Sequence, residues 1–129
     1  NILETVWSKL QELGIDTEFL NRYLNQGFSG GEKKKAEILQ MLVLNPKIVI
    51  LDETDSGLDI DSLRVVAEGI KKFMSPEKTI LIITHYKRIL DYVKPDRVSI
   101  ISDGKIVAEG DSSLVAQLEE KGYGWIGKE

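Results

Sequence analysis

Cysteine is absent from the 129 residues, histidine occurs once and proline three times. Without cysteine the chain forms no disulfide and offers no thiolate to zinc or to an iron–sulfur cluster. No apolar run approaches the roughly 20 residues that a membrane-spanning helix needs, so no membrane insertion is expected. The longest runs, KIVIL (47–51) and TILIIT (79–84), have the length of strands. Basic charge is not in excess: 17 Lys and Arg against 21 Asp and Glu give a formal net charge of −4. That balance counts against a generally basic surface, and no nucleic-acid partner is expected. The opening NILETVWSKLQEL has no basic segment ahead of an apolar one, so no signal peptide is expected. What remains, 42% hydrophobic and 29% charged, is the mixture of a globular chain with one core.

Periodicity organises that material. Ile2, Leu3, Val6, Leu10 and Leu13 stand at helical spacing, with Gly14 as the stop. DTEFLNRYLN (16–25) predicts a second short helix capped by Asp16. From Gly30 to Leu44, the stripe Ala36, Leu39, Leu42 and Val43, flanked by Ile38 and Met41, predicts a helix ended by Asn45-Pro46. KIVIL lacks polar alternation and predicts a strand buried on both faces of a parallel sheet. Residues 59–74 read as a helix with Leu63, Val66, Ala67 and Ile70 on one face and Asp59 or Asp61 at its cap. KTILIITH (78–85) predicts a second buried strand, 86–93 a short helix halted before Pro95, and 97–110 a hairpin around Asp103-Gly104. DSSLVAQLEEKG (111–122) closes the chain with a capped helix. Strands alternating with helices define an α/β class with a largely parallel sheet flanked by helices.

Four groups carry candidate chemistry. Asp52 and Glu53 end the first strand, at the sheet edge where open α/β sheets bind ligands. An Asp there can hold Mg²⁺ directly or through water, and an adjacent Glu can deprotonate an attacking water; both also serve simply as loop-capping carboxylates. Ser29-Gly30-Gly31-Glu32 precedes a helix, where unobstructed backbone N–H groups suit phosphate oxygens, and Ser29 with Glu32 also matches a capping box. His85 ends the second strand and, if the strands are parallel neighbours, shares an edge with Asp52 and Glu53. It suits a terminal phosphate, or a plain packing role. Lys33-Lys34-Lys35 stands at a helix start, where the macrodipole disfavours cations unless an anion or a carboxylate such as Glu53 lies near. Two look-alikes fail. DETDSGLDID puts Leu63 where a calcium loop needs its bidentate Glu, and GYGWIGKE (122–129) has Glu129 in place of the Ser or Thr of a phosphate loop.

In order and spacing, FSGGE, then IVILDE about twenty residues on, then SGLD, then IITH resemble the ATPase subunits of the ABC superfamily. Within it, EFLNRYLNQGFSGGEKKKAEILQM, DETDSGLDID without a Pro after Glu53, and the ending LEEKGYGWI are similar to the SufC family, the ATPases of Suf iron–sulfur cluster assembly. The resemblance implies that residues 1–45 are part of a helical subdomain with the signature motif. It implies that 46–129 are the C-terminal part of a P-loop ATPase core, with Walker B, D-loop, switch histidine and C-terminal hairpin. It implies ATP and Mg²⁺ as ligands, Asp52 helping to hold Mg²⁺, Glu53 as base on the attacking water and His85 at the γ-phosphate. Ser29, Gly30, Gly31 and Glu32 would bind ATP held by the opposite subunit of a head-to-tail dimer, with Asp59 in the D-loop. SufB and SufD are the implied scaffold partners, in the cytoplasm or a plastid stroma.

One departure matters. The chain has no Walker A loop, Q-loop or adenine-stacking aromatic upstream, so nothing in it cradles the β- and γ-phosphates. In that family the Walker A strand lies between those matching 79–84 and 97–102, so a gap in the sheet is expected there. The expectation is the C-terminal half of an ATPase, an enzyme when completed. The ATPase of an ABC transporter and a non-hydrolysing docking or dimerisation module are the alternatives.

Overall fold

In the computed structural model, residues 1–18, 29–85, 87–122 and 124 are described. They fall into two compact units, Asn1–Val93 and Lys94–Glu129. This division follows contacts, whereas the boundary at residue 45 follows motifs.

The first unit opens with helix α1 (Ile2–Leu13), capped by the Asn1 side chain and closed by Gly14 at φ 66°. Glycine meets no Cβ penalty in that left-handed conformation. Most of the helix predicted over 16–25 lies outside the described residues. Helix α2 (Gly30–Leu44) carries the full capping box, with the Ser29 hydroxyl accepting from the Glu32 N–H and the Glu32 carboxylate accepting from the Ser29 N–H. Asn45, left-handed at φ 48°, ends it where Pro46 forbids continuation. Helix α3 (Ile60–Phe73) starts at Asp59, whose carboxylate accepts the Ser62 N–H at 2.7 Å. Its stripe of Leu63, Val66, Ala67, Ile70 and Phe73 is fully buried.

Strands β1 (Ile48–Asp52) and β2 (Thr79–Ile83) pair in parallel, from Ile48 opposite Thr79 to Asp52 opposite Ile83. The expectation of burial on both faces is corrected here. Leu51, with Val49, Ile80 and Ile82, packs on the helical core, while Ile48 is 71% and Ile50 63% exposed, with Leu81 and Ile83 exposed beside them. A strand sends alternate side chains to opposite faces, and within this unit the helical core covers one. Where a short helix was expected over 86–93, Lys87–Asp91 form a 3-10 turn rather than an α-helix.

In the second unit, β3 (Val98–Ser102) and β4 (Lys105–Gly110) form an antiparallel hairpin. Asp103 and Gly104 turn it with φ 49° and 74°, the two positive values a type I′ turn requires. A register shift falls between Ile100 and Ile101. Helix α4 (Ser113–Lys121) ends at Gly122, and its Leu114 is buried, beside Gly110 of the hairpin. Among the described residues β2 pairs with β1 alone and β3 with β4 alone, in two separate two-stranded sheets.

Helices α2 and α3 approach closely at Gly69. A Cβ on Gly69 would come within 2.2 Å of the Ile38 Cγ2 and 3.3 Å of the Leu13 Cδ2. Alanine is worth about 1 kcal/mol over glycine in a helix interior, but overpacking a filled core costs ~1–3 kcal/mol or more. With Ile38 fully buried, the clash dominates. Gly69→Ala should lower unfolding free energy by roughly 1–2 kcal/mol in urea titration; a gain instead would mean that α2 and α3 lie farther apart.

Candidate active site

Parallel pairing fixes which groups share an edge. With Asp52 opposite Ile83, both strands end together, and the Glu53 N–H donates to the Ile83 carbonyl at 2.8 Å beyond the ladder. Glu53 then turns left-handed at φ 53°, a conformation few non-glycine residues hold. Its own carbonyl accepts from the Ser56 N–H at 3.0 Å. In this sharp turn the Glu53 side chain meets the neighbouring strand end, where the His85 Nε2 lies 3.3 Å from the Glu53 Oε1. Both side chains are partly open to solvent, 62% for His85 and 44% for Glu53. Asp52, the last residue of β1, is exposed on the same edge.

The loop 53–59 is tied down on every side. Thr54 and Asp55 are buried within it; the Thr54 hydroxyl donates to Glu37 of α2 at 3.4 Å, and Asp55 accepts the Thr84 hydroxyl at 2.8 Å. The Arg88 guanidinium donates to the Leu58 carbonyl at 2.9 Å. The Ser62 hydroxyl and then its N–H donate to Asp59, and with Lys35 nearby they outweigh desolvation and hold that carboxyl below its ordinary value. The lysine run therefore meets carboxylates, though other ones than the Glu53 considered from sequence: Lys35 acts on Asp59, and Lys34 lies 3.9 Å from Glu37.

Ser29 and Gly30 are exposed at the start of α2. The Gly30 and Gly31 amides lie in the first turn, where a helix provides no backbone acceptor. A Cβ on Gly30 would meet open space, but on Gly31 it would lie 2.8 Å from the Ser62 Oγ, so Gly31 also lets α2 and α3 approach. The Ser29–Glu32 group opens α2, whereas Asp52, Glu53 and His85 stand at the ends of β1 and β2; the loop between them is tied to α2 through Thr54 and Glu37.

Sequence reading missed Asp55 and Thr84. A polar, acidic loop gives no sign of which of its carboxylates is buried, and only the pairing of β1 with β2 sets the two residues side by side.

Comparisons with known proteins bear on the family of the chain and on its fold. The family model described as "ABC transporter" matches residues 2–56. The chain is 54% identical over 121 residues to "Probable ATP-dependent transporter ycf16" of Cyanophora paradoxa, covering 94% of this chain and 47% of that protein. It is also 54% identical over 118 residues to "Probable ATP-dependent transporter SufC" of Escherichia coli strain K12, covering 92% of this chain and 48% of that one. The solved ADP conformation of an ATP-binding cassette of an ABC transporter superposes with a TM-score of 0.70 over 93% of this chain and 46% of that one. At 24% identity that likeness concerns the fold alone. The chain belongs to the ABC family of ATPases. Within it, the sequence likeness is to the proteins called SufC and ycf16, and the chain spans about half the length of the curated relatives it matches.

The lowered Asp59 carboxyl makes a prediction about pH. A group that ionises more easily folded than unfolded contributes stability in full above its ordinary value of 3.8, and loses it as pH falls through the lower folded value. Asp59→Asn retains a capping oxygen but not the charge. Its melting temperature should lie below wild type at neutral pH, and the gap should close once pH is well below 3.8; a gap unchanged by acid would contradict an ionised cap.

Proposed function

We propose that this chain is the part of a SufC-like ATPase that carries the hydrolytic edge and the signature motif. The observation that carries the reading is the contact of His85 with Glu53, 3.3 Å apart and open to solvent on one sheet edge. An exposed carboxylate with an imidazole beside it is a fit arrangement for taking a proton from water and holding it while phosphoryl transfer proceeds. Glu53 is then the base, and His85 contacts the γ-phosphate of ATP.

Mg²⁺ suits the donors present. It takes one or two carboxylates and completes its shell with waters and phosphate oxygens. Asp52 supplies an exposed carboxylate, and no group of three or more His, Cys, Asp or Glu among the described residues would cage a metal without the nucleotide. When bound, the ion would neutralise charge on the phosphates. The β- and γ-phosphate cradle belongs to the Walker A half, which would pack on the open face of Ile48, Ile50, Leu81 and Ile83.

Ser29, Gly30, Gly31 and Glu32 would act across a head-to-tail dimer, on the ATP bound by a second copy, with Asp59 in the D-loop. Exposure of Ser29 and Gly30 at the start of α2 supports this division of labour. SufB and SufD are the proposed partners, and the cytoplasm or a plastid stroma the place of action. No helix among the described residues is long and apolar enough to cross a membrane. Co-purification with SufB and SufD separates this reading from the ATPase of an ABC transporter.

In the protein carrying both halves, Glu53→Gln should lower ATP turnover by about 10²–10⁴-fold, the usual contribution of a positioned base, with nucleotide binding retained. Turnover within a few-fold of wild type, measured by phosphate release, would remove Glu53 from the role of base.

A further inference from the structure

Asp55 is assigned no role by the reading above. It is 4% exposed and stands among Leu51, Val66, Ile70, Ile82 and Ile89. One carboxylate oxygen, Oδ2, accepts the Thr84 hydroxyl at 2.8 Å; the other, Oδ1, is buried with no hydrogen-bond partner among the described residues. A carboxylate removed from water and given a single neutral hydrogen bond is a poor way to gain stability, because its desolvation outweighs what one hydroxyl returns. Its consequence is therefore geometric.

The geometry is specific. Among the described residues, the Glu53 N–H to the Ile83 carbonyl is a backbone link between the two strand ends beyond the ladder. Beyond it, three side chains reach the loop 53–58: Thr84 to Asp55, His85 to Glu53, and Arg88 to the Leu58 carbonyl. The His85 contact is solvent-exposed, so water competes for both partners. The Asp55 contact is buried, where water does not compete and a hydrogen bond is electrostatically stronger.

We infer that Asp55 is a positioning residue: its buried carboxylate pins Thr84, and through the adjoining peptide holds His85 at its station against Glu53. The inference deepens the hydrolytic reading of that edge and rests on it. The same bond helps hold the loop that runs on to Asp59, so it links the position of His85 to the D-loop.

Removing the Thr84 hydroxyl and removing both polar partners have different consequences for stability, and this separates positioning from scaffolding. Thr84→Val leaves the carboxylate wholly unpaired and should lower both the melting temperature and ATP turnover of the protein carrying both halves. In the double variant Asp55→Leu/Thr84→Val the buried carboxylate is removed together with the hydroxyl it accepts from, so stability should return. Turnover should nevertheless stay at least ~10-fold below wild type, since small misplacements of reacting groups are costly, with KM for ATP changed by less than about 2-fold. Thr84→Ser, which keeps the hydroxyl, should restore turnover. Recovery of kcat together with stability in the double variant would overturn the inference, leaving Asp55 a merely structural group. If the double variant does not fold, equal turnover in Thr84→Val and Thr84→Ser overturns it as well. The ring resonances of His85 give a readout independent of activity, shifted in Thr84→Val and close to wild type in Thr84→Ser; resonances unmoved in Thr84→Val overturn the inference. Should Glu53→Gln leave turnover intact, the hydrolytic reading fails separately, and the His85 resonances still decide whether Asp55 positions that ring.

Discussion

The parallel register of β1 and β2 is the constraint on which the candidate site depends. Ending Asp52 opposite Ile83 and extending the ladder by the Glu53 N–H brings two residues more than thirty positions apart to one edge. A shift of one residue would turn every side chain of one strand to the other face. Leu51 and Val49 would leave the helical core, and Glu53 would lose His85. Burial of Leu51, Val49, Ile80 and Ile82 on one side therefore protects the geometry of the polar edge, although none of them takes part in the chemistry.

The helices follow from local rules, and for that reason they were legible. Ser29 with Glu32, Asp59 with Ser62, Gly14 and Asn45 are each a cap whose side chain or left-handed backbone satisfies or ends a helix by itself. The stripe of Leu63, Val66, Ala67 and Ile70 says which way α3 faces, and the structure buries all four. The hairpin turn was legible because Asp-Gly is one of few pairs that hold two positive φ values. The common edge of Glu53 and His85 followed from two aliphatic runs of equal length, each ending in polar residues, given parallel pairing.

What was not legible depends on partners far away in sequence. KIVIL and TILII read as buried on both faces because they are aliphatic throughout, yet alternate residues lie open in this unit. Composition states what a strand tolerates; packing decides what covers it. The buried Asp55 was hidden in an acidic stretch whose other carboxylates, Asp52, Glu53 and Asp59, are exposed or half-buried. The 3-10 turn after His85 replaced an expected α-helix over a segment too short for its pattern to distinguish the two. The role of Gly31 also has two sides: the motif suggests open backbone toward a ligand, and the structure adds close approach to Ser62.

The central claim is that β1 and β2 place the Glu53 carboxylate against the imidazole of His85. Because His85 is the only histidine in the chain, its ring protons are an unambiguous probe of that edge. A nuclear Overhauser measurement on the folded chain should give cross-peaks from the His85 ring to the Glu53 side-chain methylenes. Cross-peaks from that ring to other side chains, with none to Glu53, would contradict the account.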